Sequence, residues 1–200
     1  MWRAILTDAD KWTDEYLALV LRTYNYYAQT IKIARECCVS LGLPEDFFDD
    51  LSDESDWVFV IKVSGLFEAA IAQMITSALE RPELEEVIHN LGYSGRNGKL
   101  EFCKSLNLLS AERLRFLSAL SQIRNNFAHG LSSVRSTMIQ YYESLPPDKQ
   151  ESFLARFCAF QDGRANFRAE VDRDERQRKL QFILFSESVL TLREIAAQIK

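Results

Sequence analysis

Apolar residues recur along this chain at intervals of three and four, the period of an amphipathic helix, and strand-like alternation is scarce. The first helix is predicted to follow an N-cap at Thr13 and run to about Leu41, carrying Leu17, Leu21, Tyr24, Ala28, Ile31 and Arg35 at helical spacing, with Gly42 and Pro44 as its stop. An acidic stretch with Phe47, Phe48 and Leu51 follows, read as a short helical turn plus loop. From about Asp56 to Glu80 apolar residues nearly encircle a long helix, from Trp57 and Val58 to Met74 and Ile75, which marks it as the central one. Pro82 opens a short helix to Leu91, the glycine-rich stretch 92–98 is a loop, and Lys99 to Leu106 is another short helix. Ser110 caps the next, whose Leu114, Leu117, Leu120, Ile123 and Phe127 face inward and which Gly130 terminates. Helices are expected over 132–144 and 148–160, split by Pro146-Pro147, and over Gln177 to Ile199. The charge-rich stretch 162–179 mixes both signs, as a solvated helix or a loop does.

This pattern predicts an all-α helical bundle in a single domain, 1–200, with a core at 56–131 and a C-terminal elaboration, 132–200, packing back on it. Lys62, Glu68 and Gln73 interrupt the most apolar stretch, so no membrane span is expected. The start, Met1-Trp2-Arg3-Ala4, lacks the apolar region of a signal peptide, and the expected location is the cytoplasm. Cys37, Cys38, Cys103 and Cys158 have no chelating or redox spacing, so buried free thiols are expected, with no metal and no cofactor. A net charge of −5 argues against indiscriminate coating of nucleic acid, yet the window from Arg96 to Arg135 carries +5 and the remainder −10. A basic region in an acidic protein points to an anionic ligand as readily as to a fluctuation of composition.

Candidate chemistry is concentrated in Arg124-Asn125-Asn126-Phe127-Ala128-His129. At 100° per residue Asn125 and His129 fall on one helix face, and Arg124, about 140° from His129, reaches the same place only through its long side chain. An imidazole, free values of which lie near about 6.5, exchanges protons at neutral pH, and a guanidinium donates to phosphate oxygens. An amide can orient the imidazole or hold a ribose hydroxyl. Together they suit metal-free RNA cleavage by the 2′-hydroxyl. The same residues also have a purely structural explanation: His129 at a helix C-terminus, and Arg124 as ion-pair partner of Glu68 or Glu112.

An arginine, a polar residue, three more and a histidine, late on an amphipathic helix, resembles the Arg-x4-His signature of the HEPN superfamily. Gly65-Leu66-Phe67-Glu68-Ala69-Ala70, then Gly98-Lys99-Leu100-Glu101-Phe102-Cys103-Lys104-Ser105-Leu106-Asn107-Leu108-Leu109 leading into the motif, is most similar to its mannitol-repressor-like (MltR-like) branch, over residues 56–131. The resemblance implies a HEPN-like bundle with additional C-terminal helices, pairing as a homodimer so that two motifs face each other. It implies a metal-independent endoribonuclease of toxin or defence type, with Arg124 steadying the phosphate, His129 as acid or base and Asn125 in the polar position after the arginine. The mannitol-repressor-like branch implies instead a non-catalytic regulator or adaptor acting through a protein partner. After His129 the chain reads Gly130-Leu131 and not the tyrosine-containing ending of toxins paired with nucleotidyltransferases, which weighs against a toxin–antitoxin pair.

Glu68 is a charge on an otherwise apolar helix, so it either has a cationic partner, for which Arg124 is the preferred candidate, or surfaces at a gap in the bundle. His89 has no chemical companion nearby and is read as a surface or packing residue. Trp12, Tyr24, Tyr26, Tyr27 and Trp57 lack interleaved basic residues and are read as core or interface, not as a base-stacking platform. No helix-turn-helix with a basic recognition helix is evident, which disfavours a DNA-binding repressor.

Overall fold

A computed structural model describes residues 14–129, 131–159, 161–170 and 172–199, and all regular structure among them is helical. The N-cap expected at Thr13, Trp12 and the stop at Gly130 lie outside the described residues, as do the side chains before Asn25. Backbone contacts divide the chain into two compact units, Met1–Asp53 and Glu54–Lys200.

In the first unit, α1 (Asp14–Ser40) is followed by α2 (Phe47–Ser52). The chain reverses at Gly42, whose φ of +69° is open to glycine at no steric cost. Arg35 of α1 donates from Nε and Nη2 to the Asp49 carboxylate of α2, at 2.9 and 2.8 Å. Ala34, Cys38, Phe48 and Leu51 are buried.

The second unit is built around α3 (Asp56–Leu79). The Ser55 hydroxyl accepts from the Val58 amide and starts the helix; Glu80, in the left-handed region at φ 52°, ends it, and Pro82 follows. Phe59, Val60, Val63, Phe67, Ile71, Met74 and Ile75 of α3 are buried, each large side chain contributing about 1.5–3 kcal/mol. By length and composition alone α3 is apolar enough to cross a membrane, which corrects the expectation that no stretch is. Over its most apolar window 56% is buried inside this protein, the behaviour of a core helix.

Around α3 lie α4 (Glu85–His89), α5 (Lys99–Ser105), α6 (Ala111–Ala128) and α10 (Arg173–Ala196). α7 (Met138–Ser144) and α8 (Pro147–Phe157) pack on α10 and α6, and α9 (Gln161–Ala169) packs on α10. The helix expected over 132–144 divides instead into a 3-10 turn, Leu131–Arg135, and α7, because Thr137 and Gln140 form a capping box that starts a new helix. The last helix begins at Arg173, four residues earlier than expected, where the Asp172 side chain accepts from the Glu175 amide.

Two buried polar ties set the position of α6. Arg113 donates to Glu187 of α10 at 2.5 Å, and Glu187, 1% exposed, also accepts from the Ala159 amide at 2.7 Å. At the start of α6, Ser110 donates its backbone N–H and its hydroxyl to the Glu194 carboxylate. An aromatic chain holds the far end: Phe127 meets Tyr141 edge-on at 6.3 Å, Tyr141 meets Phe153 at 5.5 Å, and Phe153 stacks on Phe157 at 4.9 Å.

Candidate active site at the end of helix α6

Phe127 is 1% exposed and fixes the rotation of the last turn of α6, so that Arg124, Asn125 and Asn126 emerge into solvent. Arg124 Nη1 donates to Asn125 Oδ1 at 3.3 Å. α6 ends at Ala128, and His129 is its C-cap, with φ −96° and ψ 96°. The helical register that aligns Asn125 with His129 therefore stops one residue short of the histidine. His129 is exposed, and its imidazole makes no hydrogen bond among the described residues.

Neither structural role open to Arg124 is filled. Glu112 pairs with Arg115, and Glu68 pairs with Lys99, which corrects the expected Arg124–Glu68 pair. Lys99 is fully buried; its ammonium donates to the carbonyls of His89 and Leu91, both at 2.9 Å, and to Glu68 Oε1 at 3.4 Å. Glu68 is 43% exposed, so the ammonium is held chiefly by the two carbonyls at the end of α4. Gly98 permits this loop to close, since a Cβ there would stand 2.8 Å from the Ser94 backbone. Glu68 thus belongs to the junction of α3, α4 and α5, and among the described residues no hydrogen bond or ion pair joins it to the motif.

The backbone of the motif has supports that the sequence reading missed. Trp57 Nε1, in the first turn of α3, donates to the Phe127 carbonyl at 3.0 Å. The Ser133 hydroxyl lies within reach of the carbonyls of His129, at 3.1 Å, and Asn126, at 3.4 Å. Those carbonyls are among the ones a helix end leaves unpaired. Beside Trp57, the buried Asp56 carboxylate accepts from the Met138 amide and Gln177 Nε2, both at 2.6 Å, and from Gln181 Nε2 at 2.7 Å. Consecutive residues of α3 thereby hold the end of α6 and the start of α7. A tryptophan in an apolar run reads as core, and nothing in its spacing reveals a carbonyl 70 residues away.

All four cysteines are buried, and desolvation pushes the Cys38 thiol up to about 11 and the Cys103 thiol to about 12. Among the described residues no three His, Cys, Asp or Glu side chains converge in a way that would hold a metal. No family model, curated protein or solved structure matches the chain.

Proposed function

We propose that this chain is a HEPN-type RNA-binding protein and a metal-independent endoribonuclease, acting as a cytoplasmic homodimer through Arg124, Asn125 and His129. The observation that carries this reading is that an arginine, an amide and a histidine stand exposed within six residues, and that among the described residues the Arg124 and His129 side chains pair with no carboxylate. In the reaction, His129 takes the proton of a ribose 2′-hydroxyl, and the 2′-oxygen attacks the adjacent phosphorus. The 5′-oxygen leaves with a proton from a second imidazolium, which a facing copy of the motif supplies, and a 2′,3′-cyclic phosphate remains. Arg124 neutralises the charge that builds on the phosphate oxygens, and Asn125 keeps that guanidinium in place.

The test is cleavage of total cellular RNA in EDTA, with products read for cyclic-phosphate ends. The wild type cuts, and His129→Ala and Arg124→Ala do not, at unchanged melting temperature. An inert wild-type dimer refutes the reading.

A second reading, a non-catalytic regulator that binds a protein partner, is favoured by Phe102 and Leu106, which lie one turn apart around the end of α5 and are 38% and 39% exposed. Substituting both with serine separates the two: a regulator loses its partner, and a nuclease keeps its activity.

A further inference from the structure

From Arg113 to Tyr142 the chain has thirty consecutive residues without aspartate or glutamate, although 29 of its 200 residues are acidic. Most of α6 lies in this stretch, and two guanidiniums stand beside the solvent side of its last turns. Among the described residues Arg124 is hydrogen-bonded only to Asn125. Arg156, from α8, donates from Nη2 to Gln122 Oε1 at 3.2 Å and from Nε to the Ser152 carbonyl at 3.3 Å. Neither has a carboxylate within 4.0 Å among the described residues, whereas Arg81, Arg113, Arg115, Arg168, Arg173 and Arg178 of the same unit each do. Among the described residues Arg96, Arg135, Arg164, Arg176 and Arg193 likewise have no such partner, so what sets Arg124 and Arg156 apart is their place along the exposed last turns of α6.

Gln122 and Asn125 lie one turn apart on the exposed side of α6, so the Gln122–Arg156 pair sits directly before the motif. From Gln122 to Ala128, where it ends, the helix advances about 9 Å. Held by neutral acceptors, Arg156 keeps its full charge, and about three of its five N–H donors stay free. Fixed, forked donors without a carboxylate partner, along the part of α6 that follows its one acidic residue, Glu112, match successive phosphates better than an isolated anion.

We infer that this rim is a phosphate track for single-stranded RNA, and that Arg156 engages the phosphate next along the strand from the one held by Arg124. The inference rests on the RNA reading of the motif and adds to it a residue from a different helix. A single strand fits because in-line attack by a 2′-hydroxyl needs backbone freedom that an A-form duplex lacks.

Fluorescence anisotropy of the full chain with a labelled 2′-O-methyl oligoribonucleotide, which binds without being cut, tests this over a potassium chloride series. Arg156→Gln weakens binding about three- to tenfold and makes the slope of log K against log salt shallower by about 0.7, the value of one single-strand phosphate contact. Arg156→Lys restores the slope, and circular dichroism confirms that each variant is folded. Equal affinity and slope in wild type and Arg156→Gln overturn the track, and if His129→Ala still abolishes cleavage the nuclease reading stands without it. A weakened Arg156→Gln together with no cleavage by wild type keeps the track and removes the nuclease. No RNA binding by wild type at low salt overturns the track, and capture of poly-glutamate through Arg156 in its place assigns the surface to an acidic protein.

Discussion

Replacing Lys99 with methionine removes a buried ammonium at nearly constant side-chain volume. The loss falls on the carbonyls of His89 and Leu91, each accepting at 2.9 Å at the end of α4. A buried acceptor left unpaired costs about 1–3 kcal/mol, and the apolar replacement recovers part of the desolvation that the ammonium carried, so the net cost is about 2–4 kcal/mol. Glu68 contributes little to that figure, because at 43% exposure its carboxylate is rehydrated when the lysine goes; the pair itself is worth about 0–1 kcal/mol. Urea unfolding followed by circular dichroism measures this as a lower midpoint at unchanged m-value, accompanied by a fall in melting temperature of about 5–15 °C. Glu68→Gln costs less than about 1 kcal/mol, and in the double variant the coupling stays below that value. A Lys99→Met protein as stable as wild type, or a Glu68→Gln protein equally damaged, would refute the argument that carbonyl satisfaction secures this junction.

Arg124→Ala and His129→Ala each change stability by less than about 0.5 kcal/mol, because both side chains are exposed and, among the described residues, neither pairs with a carboxylate; calorimetry showing a loss above about 1.5 kcal/mol for either restores the structural explanation of the motif. Trp57→Phe removes one buried donor while keeping most of the ring, costs about 1–2 kcal/mol, and speeds amide exchange at His129 and Ser133 relative to the rest of α6; unchanged exchange there means that the indole does not hold the motif. The Cys103 thiol, raised to about 12 in the folded chain, lies near 9 when unfolded. Above pH 9 the unfolded state binds fewer protons than the folded one, so stability is intact below pH 9 and falls as pH rises toward 12, by up to about 1.4 kcal/mol per unit. Cys103→Ala flattens that alkaline slope in pH-dependent urea titrations, and an unaltered slope contradicts the assignment.

Helix positions were legible wherever a cap preceded an apolar period. Ser110 and the inward row from Leu117 to Phe127 define α6 to within a residue, and the near-continuous apolar run after Ser55 defines α3. The Gly92–Gly98 loop was equally plain, and Pro146-Pro147 marked the boundary before α8, which includes Pro147 and ends at Phe157 instead of running over 148–160. The break between the 3-10 turn and α7 was not, because Thr137 and Gln140 look like ordinary polar positions until their reciprocal capping bonds are seen. At the candidate site, sequence alone located Arg124, Asn125 and His129 and described the chemistry of their side chains. It chose the wrong cation for Glu68, because Lys99 lies in a glycine-rich neighbourhood that reads as solvent-exposed while its ammonium is fully buried. Arg156 and Trp57 were invisible for the same reason: their partners are distant along the chain, and only tertiary packing joins them.

The adjacency of Asp56 and Trp57 has a mechanical consequence. The Phe127 carbonyl is held by the Trp57 indole and the Met138 amide by the Asp56 carboxylate, so both atoms are tied through side chains to adjacent residues of one helix. Tilting or sliding the first turn of α3 therefore carries both atoms in unison while re-aiming the histidine between them. The backbone that carries the imidazole is in this way geared to a core helix rather than to the loop alone.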